Sequence, residues 1–405
     1  MTIHILSDTY IYILFKVTFQ GSMGVNIKRS LVYVQDTSSF ILHLIEERSL
    51  DPLQTLVRIS LDSGGSFMKI IVNVFDPDVE KSSGKYSNSG VQRCHILAIS
   101  EDIPESNQNL RLIIDKLHLE EVKFSVAFDL KCANSVFGLS NHAGKRACLY
   151  CEGICTAECG DLRTLKSLDY WYSEYEKTGF DKSKMKDCMN VINQRILYLD
   201  EDPNTLIQNL VPPPELHLLI GVVSLLGSLL LELWPDFDLW LKSKNILQRG
   251  YQGRGWDGNN SNNILKYLDD LEAKIISQTP NLVPFVQCLK DFRYVKNACF
   301  GHDFEPTHEA VITKFKNSFM CCQDLSESLG NKLSMTWKVH IILNHVSPFV
   351  NFHKCGLGRY AEQVGEAMHS KFKPTWARYK RKEEHPEHNE RLLSAVKDFG
   401  GRRIK

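Results

Sequence analysis

The first third of the chain alternates short apolar runs with polar interruptions, a pattern typical of β-strands. In residues 56–61, Val57, Ile59 and Leu61 alternate with Arg58 and Ser60, which predicts a half-buried strand. Two further apolar runs predict strands at residues 67–75 and 94–99. Because the connections between these runs are short, we expect the three strands to form a meander.

A helix and a fourth strand follow the meander. Leu110, Ile113, Ile114 and Leu117 recur at helical spacing, and Ser106 or Asn107 can cap this helix. Residues 124–128 then predict another strand. The order of three strands, one helix and one strand is also that of an RNase H-like fold. From about residue 160 to 340 the pattern is mainly helical, interrupted by a Gly- and Asn-rich stretch at 250–263 that predicts an exposed loop.

Two longer apolar stretches need separate interpretation. Residues 3–19 contain Asp8 and Lys16 and lack a basic start, which favours an edge strand over a secretory signal. Residues 216–234 approach the length of a membrane span, but they carry His217 and Glu232 and follow three prolines. We therefore expect a buried helix in a helical domain, with a transmembrane helix as the alternative.

Composition sets the class of protein. With 405 residues, of which 43% are hydrophobic and 24% charged, the chain can form two or three domains. Basic and acidic residues balance at 48 each, so no overall positive field favours nucleic acid and any such binding must use local patches. The 12 cysteines without a signal peptide predict a reducing compartment, nucleus or cytoplasm, and some metal-bound thiols.

Acidic residues follow two of the predicted strands. Asp62 and Asp129 each come after an apolar run, and Glu366 lies on a predicted amphipathic helix. Phosphodiester chemistry with two Mg²⁺ ions needs about three carboxylates that converge from different elements. The alternative is that these acids are solvated at strand ends, because the chain has 48 acidic residues to choose from.

Cysteine and histidine pairs offer a second metal site. Cys148 and Cys151 have the spacing of two thiolates that share a tetrahedral zinc, and His340 and His345 can complete the set. A regular α-helix places residues i and i+5 about 140° apart, so we expect a helix end between the histidines and Pro348. Four unrelated residues are the alternative, and the competing thiols are Cys155 and Cys159.

Six motifs, in order, carry a resemblance to a known family. They are Leu61-Asp62-Ser-Gly-Gly-Ser-Phe67, Cys94-His-Ile-Leu-Ala-Ile-Ser100-Glu101-Asp102, Phe128-Asp129-Leu130-Lys131, the CxxC, the HxxxxH and Glu366-Ala-Met-His-Ser-Lys-Phe372. Over residues 55–375 the chain resembles the catalytic core of the V(D)J recombinase and Transib transposases. The resemblance implies an α/β protein whose RNase H-like core is interrupted by a large, mainly helical, zinc-braced insertion.

The resemblance also implies residue roles. Asp62, Asp129 and Glu366 would hold Mg²⁺ or Mn²⁺ for DNA strand cleavage and transfer, with Glu362 as the competitor for the third position. Cys148, Cys151, His340 and His345 would hold a structural zinc. The implied partner is double-stranded DNA in the nucleus, without a membrane, and a homodimer is compatible with it. The alternative is a domesticated or degenerate relative that binds DNA or other partners without catalysis.

The resemblance divides the chain into four parts: a flanking segment at 1–54, strands with the first two acids at 55–147, the zinc-binding insertion at 148–345, and closing helices at 346–405. Because only about sixty residues precede Asp62, we expect little room for separate end-binding domains. Basic side chains near the C-terminus are candidates for phosphate contacts: Lys371, Lys373, Arg378, Lys380, Arg381 and Lys382. Trp376 and Tyr379 lie among them and would either stack on bases or pack in the core.

Overall fold

The computed structural model describes residues 2–7, 10–64, 66–83, 88–140, 144–248, 255–382 and 384–401. The chain forms two compact units. The first contains residues 1–141, 164–205 and 362–405, and the second contains residues 142–163 and 206–361. Both units are therefore built from segments that are distant in the sequence.

The first unit is built on a seven-stranded mixed sheet. Its strands are β1 (Thr2–Ser7), β2 (Tyr10–Gln20), β3 (Asn26–Val34), β4 (Leu56–Gly64), β5 (Phe67–Phe75), β6 (His95–Glu101) and β7 (Ser125–Phe128). Their order across the sheet is β1-β2-β3-β6-β5-β4-β7. Strand β4 pairs in parallel with β7, and the other neighbouring strands are antiparallel.

The strands predicted at 56–61, 67–75, 94–99 and 124–128 are present as β4, β5, β6 and β7. Residues 3–19, expected to form an edge strand, contribute β1 and most of β2. One detail differs from the prediction, because β4 is buried on both faces. Arg58 and Ser60, expected to face solvent, are 2% and 3% exposed. The buried Arg58 guanidinium donates to the Ser89 carbonyl (2.8 Å) and lies over the Phe75 ring.

Helices cover this sheet. The predicted helix cap is confirmed, since the Ser106 hydroxyl accepts a hydrogen bond from the backbone N–H of Asn109 at the start of helix α3 (Asn107–Ile114). Helix α15 (Gln363–Tyr379) packs on β4. A Cβ added at Gly365 of this helix would lie 3.4 Å from the Ser60 Cβ. The helices of this unit are α1 (Thr37–Glu47), α2 (Pro77–Ser83), α3 (Asn107–Ile114), α4 (Leu130–Val136), α5 (Leu165–Lys177), α15 (Gln363–Tyr379) and α16 (Arg391–Gly401).

The described part of the second unit is mainly helical. Its helices are α6 (Ile207–Leu210), α7 (Glu215–Leu233), α8 (Asp236–Ser243), α9 (Gly258–Lys266), α10 (Leu268–Gln278), α11 (Val283–Cys299), α12 (His308–Ser328), α13 (Trp337–Ile341) and α14 (Ser347–His353). The expected apolar helix at 216–234 is α7, which packs against α9, α11 and α13. It is long and apolar enough to span a membrane by length and composition, a property that core helices share.

The expected loop at 250–263 is partly wrong. Residues 250–254 lie outside the described part of the chain, but residues 258–263 belong to α9. The Asp257 carboxylate accepts a hydrogen bond from the Asn260 backbone N–H and starts this helix. Ile264 and Leu265 are then buried, so packing overrides the low helix propensity of Gly and Asn.

The observed units divide the chain differently from the predicted domains. Residues 10–34, expected to flank the core, supply two full strands of the sheet, and β3 pairs directly with β6. Residues 164–205, expected in the insertion, belong to the sheet-containing unit. Conversely, residues 346–361 belong to the helical unit, because α14 continues the helix that carries the two histidines.

Candidate metal centre and acidic site

Four predicted ligands meet in the second unit. Ligand atoms of Cys148, Cys151, His340 and His345 all lie within 4.8 Å of one another, and all four residues are buried. The Cys148 Sγ to His345 Nε2 distance is 3.5 Å, and the Cys151 Sγ to His340 Nε2 distance is 3.4 Å. Tetrahedral zinc with ordinary Zn–S and Zn–N bonds places sulfur and nitrogen about 3.6 Å apart. The group thus fits a structural metal such as zinc.

A buried arginine holds the cysteine loop in shape. Cys151 forms an isolated bridge with Leu162, which folds the chain back on itself after the CxxC. The Arg163 Nε–H donates to the carbonyls of Cys148 (3.0 Å) and Cys151 (3.1 Å). Because Arg163 is fully buried, these bonds fix the two thiols relative to each other without exposing the loop backbone to water.

The histidines share one side of a helix through a π-turn. We expected a helix end, which is wrong: α13 continues through a π-helical segment, Ile342–Val346, directly into α14. A π-turn closes i→i+5 hydrogen bonds and therefore brings residues five apart onto the same side. This irregularity points both imidazoles at the thiols.

Hydrogen bonds fix the orientation of both imidazoles. His340 Nδ1 lies 2.7 Å from the Thr156 carbonyl, and His345 Nδ1 lies 3.2 Å from Gln208 Oε1. In each ring this leaves Nε2 facing the thiols, which is the arrangement that metal-bound histidines need. Burial lowers the pKa of His345, which keeps the imidazole neutral and able to act as a ligand.

The neighbouring thiols differ from the four ligands. Hydrogen bonds from other thiols, first from Cys148, lower the pKa of Cys151, while burial raises the pKa of Cys148. Cys159 is exposed and its Sγ lies 3.9 Å from His345 Nε2. Cys155 is half-buried, with its Sγ 3.4 Å from the Met335 carbonyl. Neither competing thiol therefore belongs to the group of four buried ligands, although Cys159 lies next to it.

The first two predicted acids lie at one end of the sheet. Leu61 of β4 pairs with Phe128 of the parallel strand β7, and Asp62 and Asp129 are the residues that directly follow this pair. Asp129 also caps α4, because its carboxylate accepts a 2.5 Å hydrogen bond from the Cys132 backbone N–H. Neighbouring parallel strands thus deliver two carboxylates to the same edge.

A histidine that the sequence analysis missed contacts Asp62. His369 Nε2 lies 2.6 Å from Asp62 Oδ2, and His369 Nδ1 lies 2.7 Å from Lys69 Nζ. A Cβ at Gly64 would lie 2.9 Å from His369 Nε2, so a glycine leaves the room that the histidine uses. The only sequence signal was the position of His369 in the motif after Glu366.

The pKa values of Asp62 and Lys69 are both lowered in this contact region. Burial of Asp62 favours its neutral form, but the His369 hydrogen bond and the charges of His369 and Lys69 outweigh it and lower the pKa. Burial lowers the pKa of Lys69 to about 7, against the attraction of Asp62. Lys69 is 2% exposed and its ammonium lies over the rings of Phe67 and Phe372. The hydrogen bond from His369 and the nearby charge of Lys69 thus keep Asp62 ionised.

Glu105 is a third carboxylate of this edge that sequence reasoning missed. Burial, followed by the negative charge of Asp129 and with a smaller contribution from Asp62, raises the pKa of Glu105 to about 7. Its side chain is 5% exposed, and its Oε1 lies 3.4 Å from Lys131 Nζ. The sequence signal for this site was the position of Glu105 between the end of β6 and Ser106, the cap of α3. Burial and the negative charge of Asp129 thus favour the neutral form of the Glu105 carboxyl.

The predicted third acid is placed differently. Glu366 is exposed in the first turn of α15, whereas its competitor Glu362 is 5% exposed directly before that helix. The carboxylates of Asp62, Asp129 and Glu366, all in the described part of the chain, do not come within the 4.8 Å that the Cys and His ligand atoms satisfy. Gly365, next to Glu366, nevertheless packs toward Asp62, whose Cβ would lie 3.8 Å from an added Cβ.

Of the two aromatic residues among the C-terminal cations, Trp376 packs in the core, whereas Tyr379 is partly exposed. Trp376 is 9% exposed and its ring meets that of Phe67 at 5.1 Å between centroids. Of the nearby cations, Arg378 pairs with Asp398 at 2.6 Å, whereas Lys371 and Lys373 are exposed. Trp376 is therefore not available for base stacking in this arrangement.

Two comparisons of the chain with known proteins found no match. No protein-family model matches the chain, and no curated protein matches it.

Proposed function

We propose that this protein cleaves and transfers DNA strands with divalent cations bound at the sheet edge that carries Asp62 and Asp129. The single observation that carries the proposal is the placement of these two acids directly after the paired residues Leu61 and Phe128 of neighbouring parallel strands. Carboxylates so placed can share cations, as phosphodiester chemistry requires. Mg²⁺ or Mn²⁺ would be the natural occupants, because both prefer oxygen ligands.

The sheet topology supports an RNase H-like core. Strands β4, β5 and β6 form an antiparallel meander, and β7 adds to β4 in parallel after a crossover that contains α3. The acids of β4 and β7 then lie side by side, with α15 packed on β4. These relationships agree with the order of strands and acids that the resemblance to the V(D)J recombinase and Transib core implies.

Residue roles follow from this placement. Asp62 and Asp129 would bind the cations, and Glu366 would join them from the first turn of α15. Divalent cations bound here supply an activated attacking oxygen and stabilise the leaving oxygen. Within the chain, His369 and Lys69 keep Asp62 ionised and oriented, and the α4 cap holds the Asp129 carboxylate in one rotamer. The Cys148, Cys151, His340 and His345 group would hold zinc as a structural ion, since four protein ligands leave no open position.

The test is a nicking assay on supercoiled plasmid with Mg²⁺ or Mn²⁺. The sharpest variant is Asp129→Asn, because asparagine caps a helix as well as aspartate does but carries no charge. We expect Asp129→Asn to retain wild-type stability and zinc and to lose cleavage. Asp129→Ala should lose cleavage together with roughly 1 kcal/mol of cap stability. Cleavage by Asp62→Ala or Asp129→Asn at the wild-type rate would refute the proposal.

A specific observation favours a second candidate function. His369 already contacts Asp62 at hydrogen-bond distance, and Glu366 is exposed rather than gathered with the other acids. A relative that binds DNA without cutting it would have this arrangement. Duplex binding that persists while no divalent cation supports nicking, and while Mg²⁺ leaves the thermal stability unchanged, would favour this second function.

A further inference from the structure

A positively charged groove lies beside the acidic edge. A cavity of about 380 Å³ is lined by Lys16, Lys28, Arg29 and Arg391, together with His388, Glu101 and Asp102. We name the four Lys and Arg residues the basic groove. They come from β2, β3 and the first residue of α16, all within the first unit. For a chain with equal numbers of acidic and basic residues, this is a local concentration of positive charge.

Most of this charge is not neutralised by the protein. Arg391 pairs with Glu101 at 2.5 Å. Lys16, Lys28 and Arg29 form no ion pair with any carboxylate in the described ranges. Burial, then the charges of Arg391 and Arg29, lower the pKa of Lys16, which is how cations that crowd one another behave.

A second cavity adjoins the basic groove and is lined in part by neighbours in sequence of Asp62 and Glu105. This cavity, of about 580 Å³, shares Arg29 and Asp102 with the first and ends at Ser63, Gly64 and Pro104. Ser63 directly follows Asp62, and Pro104 directly precedes Glu105. The path from the cations to the carboxylates is lined mainly by small and neutral residues such as Gly21, Ser22 and Ser66. A chain of phosphates can follow such a path, with small side chains leaving room for its backbone.

We infer that the basic groove holds the phosphodiester backbone of duplex DNA and leads it to the carboxylates at Asp62. The identity of the partner rests on the proposed function, whereas the groove rests on its own charges and cavities. Lys and Arg bind phosphates without reading sequence, so this groove would set affinity and register rather than specificity. It also gives a role to β2 and β3, which lie outside the region of resemblance.

The experiment measures duplex DNA binding by fluorescence anisotropy in buffer without Mg²⁺ and without chelator, over a range of salt concentrations. The test variant combines Lys16→Gln with Arg29→Gln. Each lost phosphate contact should reduce the slope of log affinity against log salt by about 0.9, so we expect a reduction of about 2 for the pair. At 0.1 M salt the affinity should fall roughly tenfold or more.

Controls separate the groove from general charge and from catalysis. Lys332→Gln removes an exposed cation of the other unit and should leave affinity and slope at wild-type values. A second double variant, Lys16→Arg with Arg29→Lys, keeps both positive charges and should bind duplex DNA with wild-type affinity. Asp129→Asn should bind normally while failing to nick. A wild-type that binds through the groove but never nicks would leave the inference standing and overturn the proposed function.

Two outcomes would overturn the inference. The first is an unchanged affinity and salt slope in the double variant with wild-type thermal unfolding. The second is a loss of affinity of the double variant for duplex RNA or heparin that exceeds its loss of affinity for duplex DNA. The groove would then bind another polyanion. Normal nicking together with either outcome would leave the proposed function intact and place DNA elsewhere on the protein.

Discussion

His369 Nε2 lies 2.6 Å from Asp62 Oδ2, so the first acid of the candidate cation site already has a partner within the protein. The Lys69 ammonium donates to Nδ1 of the same imidazole, which leaves Nε2 to carry the proton that faces Asp62. Asp62 is thereby held in one orientation, with its Oδ2 accepting the hydrogen bond from His369. A cation that binds Asp62 would use the other oxygen or displace the imidazole.

Replacement of His369 by Ala should destabilise the fold. It removes the partner of Asp62 and leaves the buried Lys69 without its hydrogen bond. The cost of such unsatisfied buried groups is about 1 to 3 kcal/mol of unfolding free energy, measurable by urea denaturation. His118→Ala is the matched control, because His118 pairs with Glu120 on the surface and its loss should be close to neutral. Equal stability of the His369→Ala and His118→Ala proteins would contradict a role of His369 in the fold.

Glu105 should make stability depend on pH. Burial, followed by the negative charge of Asp129, raises the pKa of Glu105 from a usual 4.5 to about 7 in the folded chain. A carboxyl with a raised folded pKa supports stability below pH 4.5, and that support is lost as the pH rises through 7. We expect Glu105→Gln to be more stable than wild-type at pH 8.5, by up to about 3 kcal/mol, and the gain to disappear at pH 4.5. Urea denaturation at both pH values checks this, and a gain that is the same at both would contradict the burial of Glu105 among acids.

The sequence predicted the strands of the core better than the contacts at the site. Residues 67–75 are a continuous apolar run, and such a run is buried in whatever sheet forms. The metal ligands could be predicted because the spacing of Cys148 and Cys151 is itself a chemical signal. The π-turn between His340 and His345 could not, because its backbone hydrogen bonds leave no periodic pattern in the sequence.

The neighbours of Asp62 were hidden for a different reason. His369 is 300 residues from Lys69 along the chain, and the two meet only when α15 packs on the sheet. Glu105 resembles any surface acid until the burial of its side chain and the nearness of Asp129 raise its pKa. Residue type and spacing thus predict ligands that are close in sequence, whereas electrostatic neighbours depend on tertiary packing.

Two helical glycines, one in α7 packed against a tryptophan and one in α16 with open space, should respond in opposite ways to replacement by Ala. A Cβ at Gly227 would lie 2.6 Å from the ring of Trp256, which is 1% exposed. Gly227→Ala should therefore overpack the helical unit and lower the unfolding free energy by about 1 to 3 kcal/mol. Gly400→Ala in α16 meets nothing within 4 Å and should stabilise by up to about 1 kcal/mol through helix propensity. Thermal melts of both variants test this, and a neutral Gly227→Ala would mean that Trp256 is not packed against α7.

Zinc removal should unfold the second unit. One ion held by Cys148, Cys151, His340 and His345 would join the loop at 148–163 to the π-turn, two segments almost 200 residues apart. Structural zinc contributes on the order of 10 kcal/mol of apparent binding free energy, comparable to the whole margin of about 5 to 15 kcal/mol by which domains stay folded. We expect one equivalent of zinc per chain, and its loss together with thermal stability in Cys151→Ser and in His345→Ala.

Cys159→Ser is the matched control for this last prediction. Its thiol borders the same group, 3.9 Å from His345 Nε2, but it is exposed and lies outside the buried set of four. The Cys159→Ser protein should therefore retain its zinc and its melting temperature, because the four ligands and the Arg163 hydrogen bonds to the loop are all unchanged. Elemental analysis and thermal melts on the three variants decide the matter. Full zinc in Cys151→Ser with loss in Cys159→Ser would assign the fourth ligand to Cys159, whereas full zinc in all three would mean that the ion binds elsewhere in the chain.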